Sequence, residues 1–297
     1  GALLQHRSRA AIAHGSPDAA REDLELALDL ETRRLGSGHP SLAAIHEQLG
    51  EALLLAGRVD AALARHEQAI AAAEATLGPE HPGTARKVLG RARVHERRGD
   101  FDAALRDDLR VISVWERAYG EHPRLIWPLT CAGRVLRKSG DFAAARPHYA
   151  RALAIAERVD GPGHLEVGRA LIELGDVVRE LGRPDEALAL HRRALGLLRG
   201  GTADAVTWRD LGESLLADGA PAQAIAALER ARQLPVDAPA ERAHTGFALA
   251  RALVAVGGDR GRARALAGRA RADYRDAGPG HDPTRVLVES WLAGLAE

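Results

Sequence analysis

Apolar residues recur at intervals of three and four along most of the chain, as in Leu42, Ile45, Leu49 and Leu53, and this spacing predicts amphipathic helices. A recurring signature interrupts the pattern: a glycine, a short polar stretch and small residues. It reads Gly15-Ser-Pro-Asp-Ala-Ala, Gly57-Arg-Val-Asp-Ala-Ala, Gly99-Asp-Phe-Asp-Ala-Ala, Gly140-Asp-Phe-Ala-Ala-Ala and Gly182-Arg-Pro-Asp-Glu-Ala, with successive glycines 42, 42, 41 and 42 residues apart. A glycine just past one helix and an Asp or Pro opening the next predict a tight turn between antiparallel helices. Gly219-Ala-Pro and Gly258-Asp-Arg continue the series at shorter spacing.

Small residues 12 apart straddle each turn: Ser8 and Ala20, Gly50 and Ala62, Ala92 and Ala104, Gly133 and Ala145, Gly175 and Ala187, Gly212 and Ala224; Ala250 and Ala263 are one residue wider. Small side chains at matched heights let two helix backbones approach closely. A second kind of link joins one hairpin to the next: Leu35-Gly-Ser-Gly-His-Pro40, Leu77-Gly-Pro-Glu-His-Pro82, Tyr119-Gly-Glu-His-Pro123, Asp160-Gly-Pro-Gly-His164 and Gly278-Pro-Gly-His-Asp-Pro283. Here glycine stops a helix and proline opens another, where its missing N–H costs nothing. Seven hairpins are predicted, at about residues 1–38, 39–80, 81–121, 122–163, 164–201, 202–238 and 239–280. A final helix over about 282–296, carrying Val286, Leu287, Trp291 and Leu295, is expected to cap the last open face. No hairpin buries its apolar stripe alone, so residues 1–297 are expected to form one continuous solenoid rather than separate domains.

Composition narrows the function classes. Ala, Leu, Arg and Glu dominate, ten residues are aromatic, and the fold class is therefore all-α. With 41 basic and 41 acidic residues the chain is formally neutral, which gives no reason to expect nucleic acid or an anionic membrane as partner. One cysteine, Cys131, excludes an internal disulfide framework, and the cytoplasm is the expected compartment. No apolar run is long enough for a membrane span. The chain opens at Gly1 inside a helical pattern, as a piece of something longer would.

The small pair across a glycine turn, with a further alanine seven residues on at Ala27, Ala69, Ala152, Ala194, Ala231 and Ala270, resembles the tetratricopeptide repeat. The period of about 42 with a Leu-Gly-x-x-His-Pro link is similar to the repeats of kinesin light chain and its bacterial relatives. The ending, Ala272-Asp-Tyr-Arg-Asp-Ala-Gly-Pro-Gly and Glu289-Ser-Trp-Leu-Ala, resembles the tail of bacterial eukaryotic-type serine/threonine kinases that carry such repeats. The resemblance implies a right-handed superhelical solenoid that acts as a protein-interaction scaffold; the second implies, as an alternative, a regulatory or sensory arm of a larger signalling enzyme such as a kinase. No nucleotide loop, His-Arg-Asp or Asp-Phe-Gly set is present, so kinase activity is not assigned to this chain. A self-association module is a third possibility.

In this family the first helix of each hairpin lines the concave side, and its ligand-touching stripe lies three residues before and one, four and five after the small residue. Carried over, the stripe is Leu89, Arg93, Glu96 and Arg97 in the third hairpin, Thr130, Arg134, Arg137 and Lys138 in the fourth, and Ile172, Asp176, Arg179 and Glu180 in the fifth. One turn earlier come Arg86, Trp127 and Arg169. The expectation is a central basic groove with one aromatic, whereas the second hairpin offers Glu47, Glu51, Leu54 and Leu55, and the sixth Arg209, Glu213 and Leu216. Arg forks bind carboxylate and phosphate in pairs of hydrogen bonds, which points to an acidic or phosphorylated peptide; the alternative is that these charges are only the solvated face of helices. The chain contains no asparagine, so the family's asparagine clamp on a peptide backbone is missing and any ligand is held by Arg, Gln or apolar contacts.

Other arrangements carry no chemistry. His39, His81, His122, His164 and His281 each sit in a separate link, too far apart to share a metal. His66 and His191 occupy a second-helix position filled elsewhere by a large side chain such as Tyr149, and packing is expected of them. Gly78-Pro-Glu-His-Pro-Gly-Thr84 lacks the lysine of a phosphate loop, and Gly257-Gly-Asp-Arg-Gly261 reads as a turn with one inserted residue. Cys131 lies inside a first helix and is expected to be buried rather than reactive. No catalytic residue, cofactor or metal site is expected, and oligomeric state is not legible.

Overall fold

The computed structural model describes residues 2–14, 16–36, 39–197 and 205–295. Gly15, the first turn glycine, the middle of the first link, the junction of the fifth and sixth hairpins and Ala296 lie outside these residues. The described chain is all-α. Its helices pair as α1 (Ala2–Ala13) with α2 (Pro17–Leu35), α3 (Leu42–Leu55) with α4 (Val59–Leu77), α5 (Pro82–Arg98) with α6 (Phe101–Tyr119), and α7 (Ile126–Lys138) with α8 (Phe142–Asp160). The series continues with α9 (Leu165–Glu180) and α10 (Pro184–Leu197), α11 (Ala205–Ala217) and α12 (Pro221–Arg232), α13 (Pro239–Ala255) and α14 (Arg260–Asp276), and closes with α15 (Asp282–Gly294). Two compact units result, Gly1–Ile155 and Ala156–Glu297.

Turn chemistry sets the pairing. At the end of α5, Gly99 adopts the left-handed conformation (φ 84°), its N–H and that of Asp100 donate to the carbonyls of Glu96 and His95, and the Asp100 side chain accepts from the Ala103 N–H to start α6. In the last hairpin the left-handed residue is Gly257 (φ 71°), and Gly258 is the extra residue. Four of the five link histidines accept a backbone donor at a helix start: Nδ1 of His39, His81, His122 and His164 accepts the N–H two residues on, at 3.2, 3.0, 3.1 and 3.3 Å, whereas the His281 side chain makes no capping bond. Imidazole here replaces the usual Ser or Asp oxygen in satisfying an orphan helix donor.

Packing fills the space between helices with the stripes predicted from the apolar spacing. In the first unit one cluster joins α1 to α4 through Leu24, Ile45 and Leu49, and another joins α4 to α8 through Val88, Trp115, Leu129 and Ile155. In four hairpins a glycine of the first helix faces a large side chain 16 residues on. A Cβ on Gly50 would lie 2.8 Å from the His66 ring, on Gly133 2.9 Å from Tyr149, on Gly175 2.5 Å from His191 and on Gly212 2.5 Å from Leu228. In the second unit, α15 caps α14 with Val288, Trp291 and Leu292. Val286 and Leu287, expected on the capping face, point outward and are exposed, because residues at i, i+3 and i+4 from Val288 share a helix face and these two do not.

Candidate functional site

Five of the expected groove residues converge in the first unit. Arg93, Arg97, Trp127, Arg134 and Lys138 line an open cleft of about 390 Å³ together with Glu96, Leu54 and Leu55. They come from α3, α5 and α7, the first members of three consecutive hairpins. Trp127 is 52 % exposed, with the Arg134 guanidinium 5.9 Å from its ring centroid, and Leu55 is 51 % exposed. A cation over an exposed indole beside bare aliphatic surface is a surface able to receive a side chain.

The other expected residues are placed differently. Leu89 packs against the core. The Thr130 hydroxyl donates to the Ile126 carbonyl at 2.8 Å, and Arg137 is half-buried. Arg86 is exposed beside α3. In the second unit, Arg169 pairs with Glu166 at 2.7 Å along α9, Ile172 is half-buried, and Arg179 reaches Glu213 of α11 at 2.9 Å.

The acids Glu47, Glu51 and Glu96, named in the sequence as members of the same stripes, prove to be the partners of these arginines. Arg86 makes two hydrogen bonds to Glu47, at 3.0 and 3.1 Å, and Lys87 joins the same carboxylate. Arg93 meets Glu51 at 3.1 Å. Arg134 grips Glu96 at 2.9 and 3.0 Å, and Lys138 adds a third bond at 2.8 Å. The pattern recurs in the second unit, where Arg209 bonds Glu241. Each pair ties one first helix to the next, so the stripe is a ladder of alternating charge. A signal was available: the partners lie 38 to 42 residues apart in the first unit, about one repeat. Arg97 stands outside the ladder, exposed and without an ion pair among the described residues.

Electrostatics beneath the cleft follow from burial. Burial pushes the Glu96 carboxyl up, but the hydrogen bonds from Arg134 and Lys138 outweigh it and leave the group below its ordinary value, hence ionised. Asp108 holds the place taken by His66 and Tyr149 in neighbouring hairpins; burial pushes its carboxyl up to about 8, and its Oδ1 has no hydrogen-bond partner. Cys131 is buried as expected, and burial followed by the nearby Asp108 charge pushes its thiol up to about 12. His66 and His191 are driven down to about 4, chiefly by burial, so both pack as neutral rings.

One grouping could not be seen in the sequence order. His191 Nδ1 lies 2.7 Å from Ser214 Oγ, and its Nε2 is 3.3 Å from the Ile172 carbonyl and 3.6 Å from Asp176. The serine, histidine and acid resemble a nucleophilic set, but Ser214 and His191 are 0 % and 1 % exposed, so no substrate reaches them. The geometry makes them a satisfied polar contact between helices α10, α11 and α9.

A family model described as tetratricopeptide repeat matches residues 2–75, 41–106, 84–146 and 124–200. Among solved structures, a tetratricopeptide repeat protein from Parabacteroides merdae superposes with a TM-score of 0.66 at 16 % identity, covering 99 % of this chain and 98 % of that one. BtubC (BKLC) from P. vanneervenii gives 0.64 at 20 % identity, with 73 % and 90 % covered. The nearly identical kinesin light chain TPR-like repeats of Podosopora anserina give 0.60 at 22 % identity, with 66 % and 93 % covered. At these identities the likeness is one of fold.

Proposed function

The chain belongs to the tetratricopeptide-repeat family, and from that premise we propose that it is a protein-interaction scaffold whose first unit captures an acidic segment of a partner in the Arg-lined cleft around Trp127. The observation that carries this reading is the half-exposed Trp127 flanked by Arg97, Arg134 and Lys138. Arg97, with no acid of its own among the described residues, is the first anchor for an incoming carboxylate. Trp127, Leu54 and Leu55 supply the apolar contact that gives affinity beyond charge. A protein or peptide is favoured over nucleic acid because the ladder leaves few free cations and the cleft has one aromatic side chain, too few for stacking successive bases. We read the chain as a cytoplasmic scaffold rather than an enzyme. The kinase-arm alternative draws on residues 272–280 and 289–293, and within the second unit Tyr274 and Trp291 from these stretches serve packing.

Reversing Arg93, Arg97 and Arg134 to Glu is expected to weaken binding of a hexaglutamate peptide by about tenfold or more while leaving helicity intact, measured by calorimetry and circular dichroism. Equal binding by the triple variant contradicts the reading. Glu96 competes for Arg134 and Lys138 as an internal carboxylate. Glu96→Gln therefore tightens hexaglutamate binding at low salt by several-fold, and a weaker or unchanged affinity would show that the ligand does not use these two cations.

A further inference from the structure

Among its departures from the repeat, the seventh hairpin places a glycine at a buried position of its first helix. Four residues before the small residue of the first helix, hairpins two to six carry His46, Val88, Leu129, Leu171 and Trp208, and the seventh carries Gly246. Val88, Leu129 and Leu171 are buried in the core there. A Cβ on Gly246 would come no closer than 3.8 Å to the Leu266 carbonyl and 4.0 Å to the Ala270 methyl. This glycine is therefore not demanded by close packing, as Gly133 and Gly175 are. In a helix interior glycine is less favourable than alanine, with no gain in contacts here.

Where the large side chain is absent, a cavity of about 490 Å³ opens within the second unit between α12, α13 and α14. Its apolar wall comes from Leu234 and Val236 of the link and from Leu266 and Ala270 of α14. Its rim carries three arginines, Arg232, Arg242 and Arg269, against one acid, Asp273. Arg242 is held by Asp273 at 3.0 Å and by the Asp237 carbonyl at 3.0 Å, and Arg232 lies 3.4 Å from Glu229. Arg269 is exposed and has no hydrogen bond or ion pair among the described residues. The volume is that of a small-molecule site and too small for a folded domain.

We propose that this cavity binds a small amphipathic carboxylate, with the apolar chain over Gly246 and the carboxylate on Arg269. Apolar walls beneath an excess of arginine select a ligand with an aliphatic body and one anionic end, and a guanidinium fork fits a carboxylate with two parallel hydrogen bonds. Such an end is carried by a free fatty acid or by the last residue of a peptide. Nothing in the proposal depends on the acidic-segment cleft.

Titration calorimetry of the full chain with octanoate, with acetyl-leucyl-leucine and with the neutral 1-heptanol tests it. Saturable one-to-one binding of a carboxylate is expected, and the tighter of the two identifies the source. Gly246→Leu should abolish it, and the surface variant Arg269→Gln should weaken it about tenfold while leaving heptanol unchanged. Three results overturn the proposal: no saturable binding of either carboxylate, heptanol binding as tightly as octanoate, or carboxylate affinity unaltered by Arg269→Gln.

Discussion

Gly133→Leu is expected to destabilise the first unit by about 3 kcal/mol or more, the upper end of the cost of overpacking a filled core. The added Cβ alone would lie 2.9 Å from Tyr149 Cδ2 and Cε2, and the Tyr149 ring, 1 % exposed, has no space into which to turn. The cost arises from the contact that sets how closely α7 and α8 approach, so it should couple to Tyr149. Adding Tyr149→Ala, which alone opens a cavity, must cost much less than the sum of the single changes. The converse applies to Gly268, where a Cβ meets nothing within 4 Å; Gly268→Ala should stabilise the second unit by about 0.5–1 kcal/mol through helix propensity. Urea unfolding of the variants measures both. Equal responses at the two glycines would mean that small residues do not set the helix approach.

Asp108 gives the second large effect, and it depends on pH. In the folded chain its carboxyl keeps a proton to about pH 8 because burial penalises the charged form, whereas in the unfolded chain it ionises near 4. Between those values the folded state holds the extra proton, so stability falls as pH rises, at about 1.4 kcal/mol per pH unit. His66 has the opposite slope: its folded pKa of about 4 lies below the unfolded value of about 6.5, so stability falls as pH drops through that interval. The two oppose one another below about pH 6.5 and leave Asp108 acting above it. Asp108→Asn should therefore gain about 2 kcal/mol on the wild type between pH 6.5 and 8. Parallel stability curves for the two proteins over that range would show that Asp108 is already ionised in the fold.

Much of this architecture is legible in the sequence because the repeat states it several times. The turn signature, the small pair and the His-Pro link each encode a backbone requirement, and all three give the same period; hence α3 to α10 fall where the spacing places them. The link histidines were legible as structure, though not as caps, since an imidazole acceptor is an unusual substitute for Ser or Asp. The stripe rule found Arg93, Arg97, Trp127, Arg134 and Lys138, which the structure brings together, because helical phase alone decides which side chains share a face. It also returned Glu47, Glu51 and Glu96, but not their pairing with these cations. A charge on one helix face says nothing of its partner until the neighbouring helix is set beside it, and Glu96 is neutralised by residues 38 and 42 positions away. The contact of Ser214 with His191 depends on the same stacking, across a junction whose spacing departs from the regular repeat.

The most direct measurement of the central claim is the Trp127 indole N–H resonance, assigned by Trp127→Phe, while hexaglutamate is added to the full chain at low and at high salt. Capture in the cleft predicts a saturable shift of that resonance at low salt, weakened at high salt as screened ion pairs require, and weakened again when Arg93, Arg97 and Arg134 are reversed. A resonance that stays in place, or that moves equally for hexalysine, would contradict it.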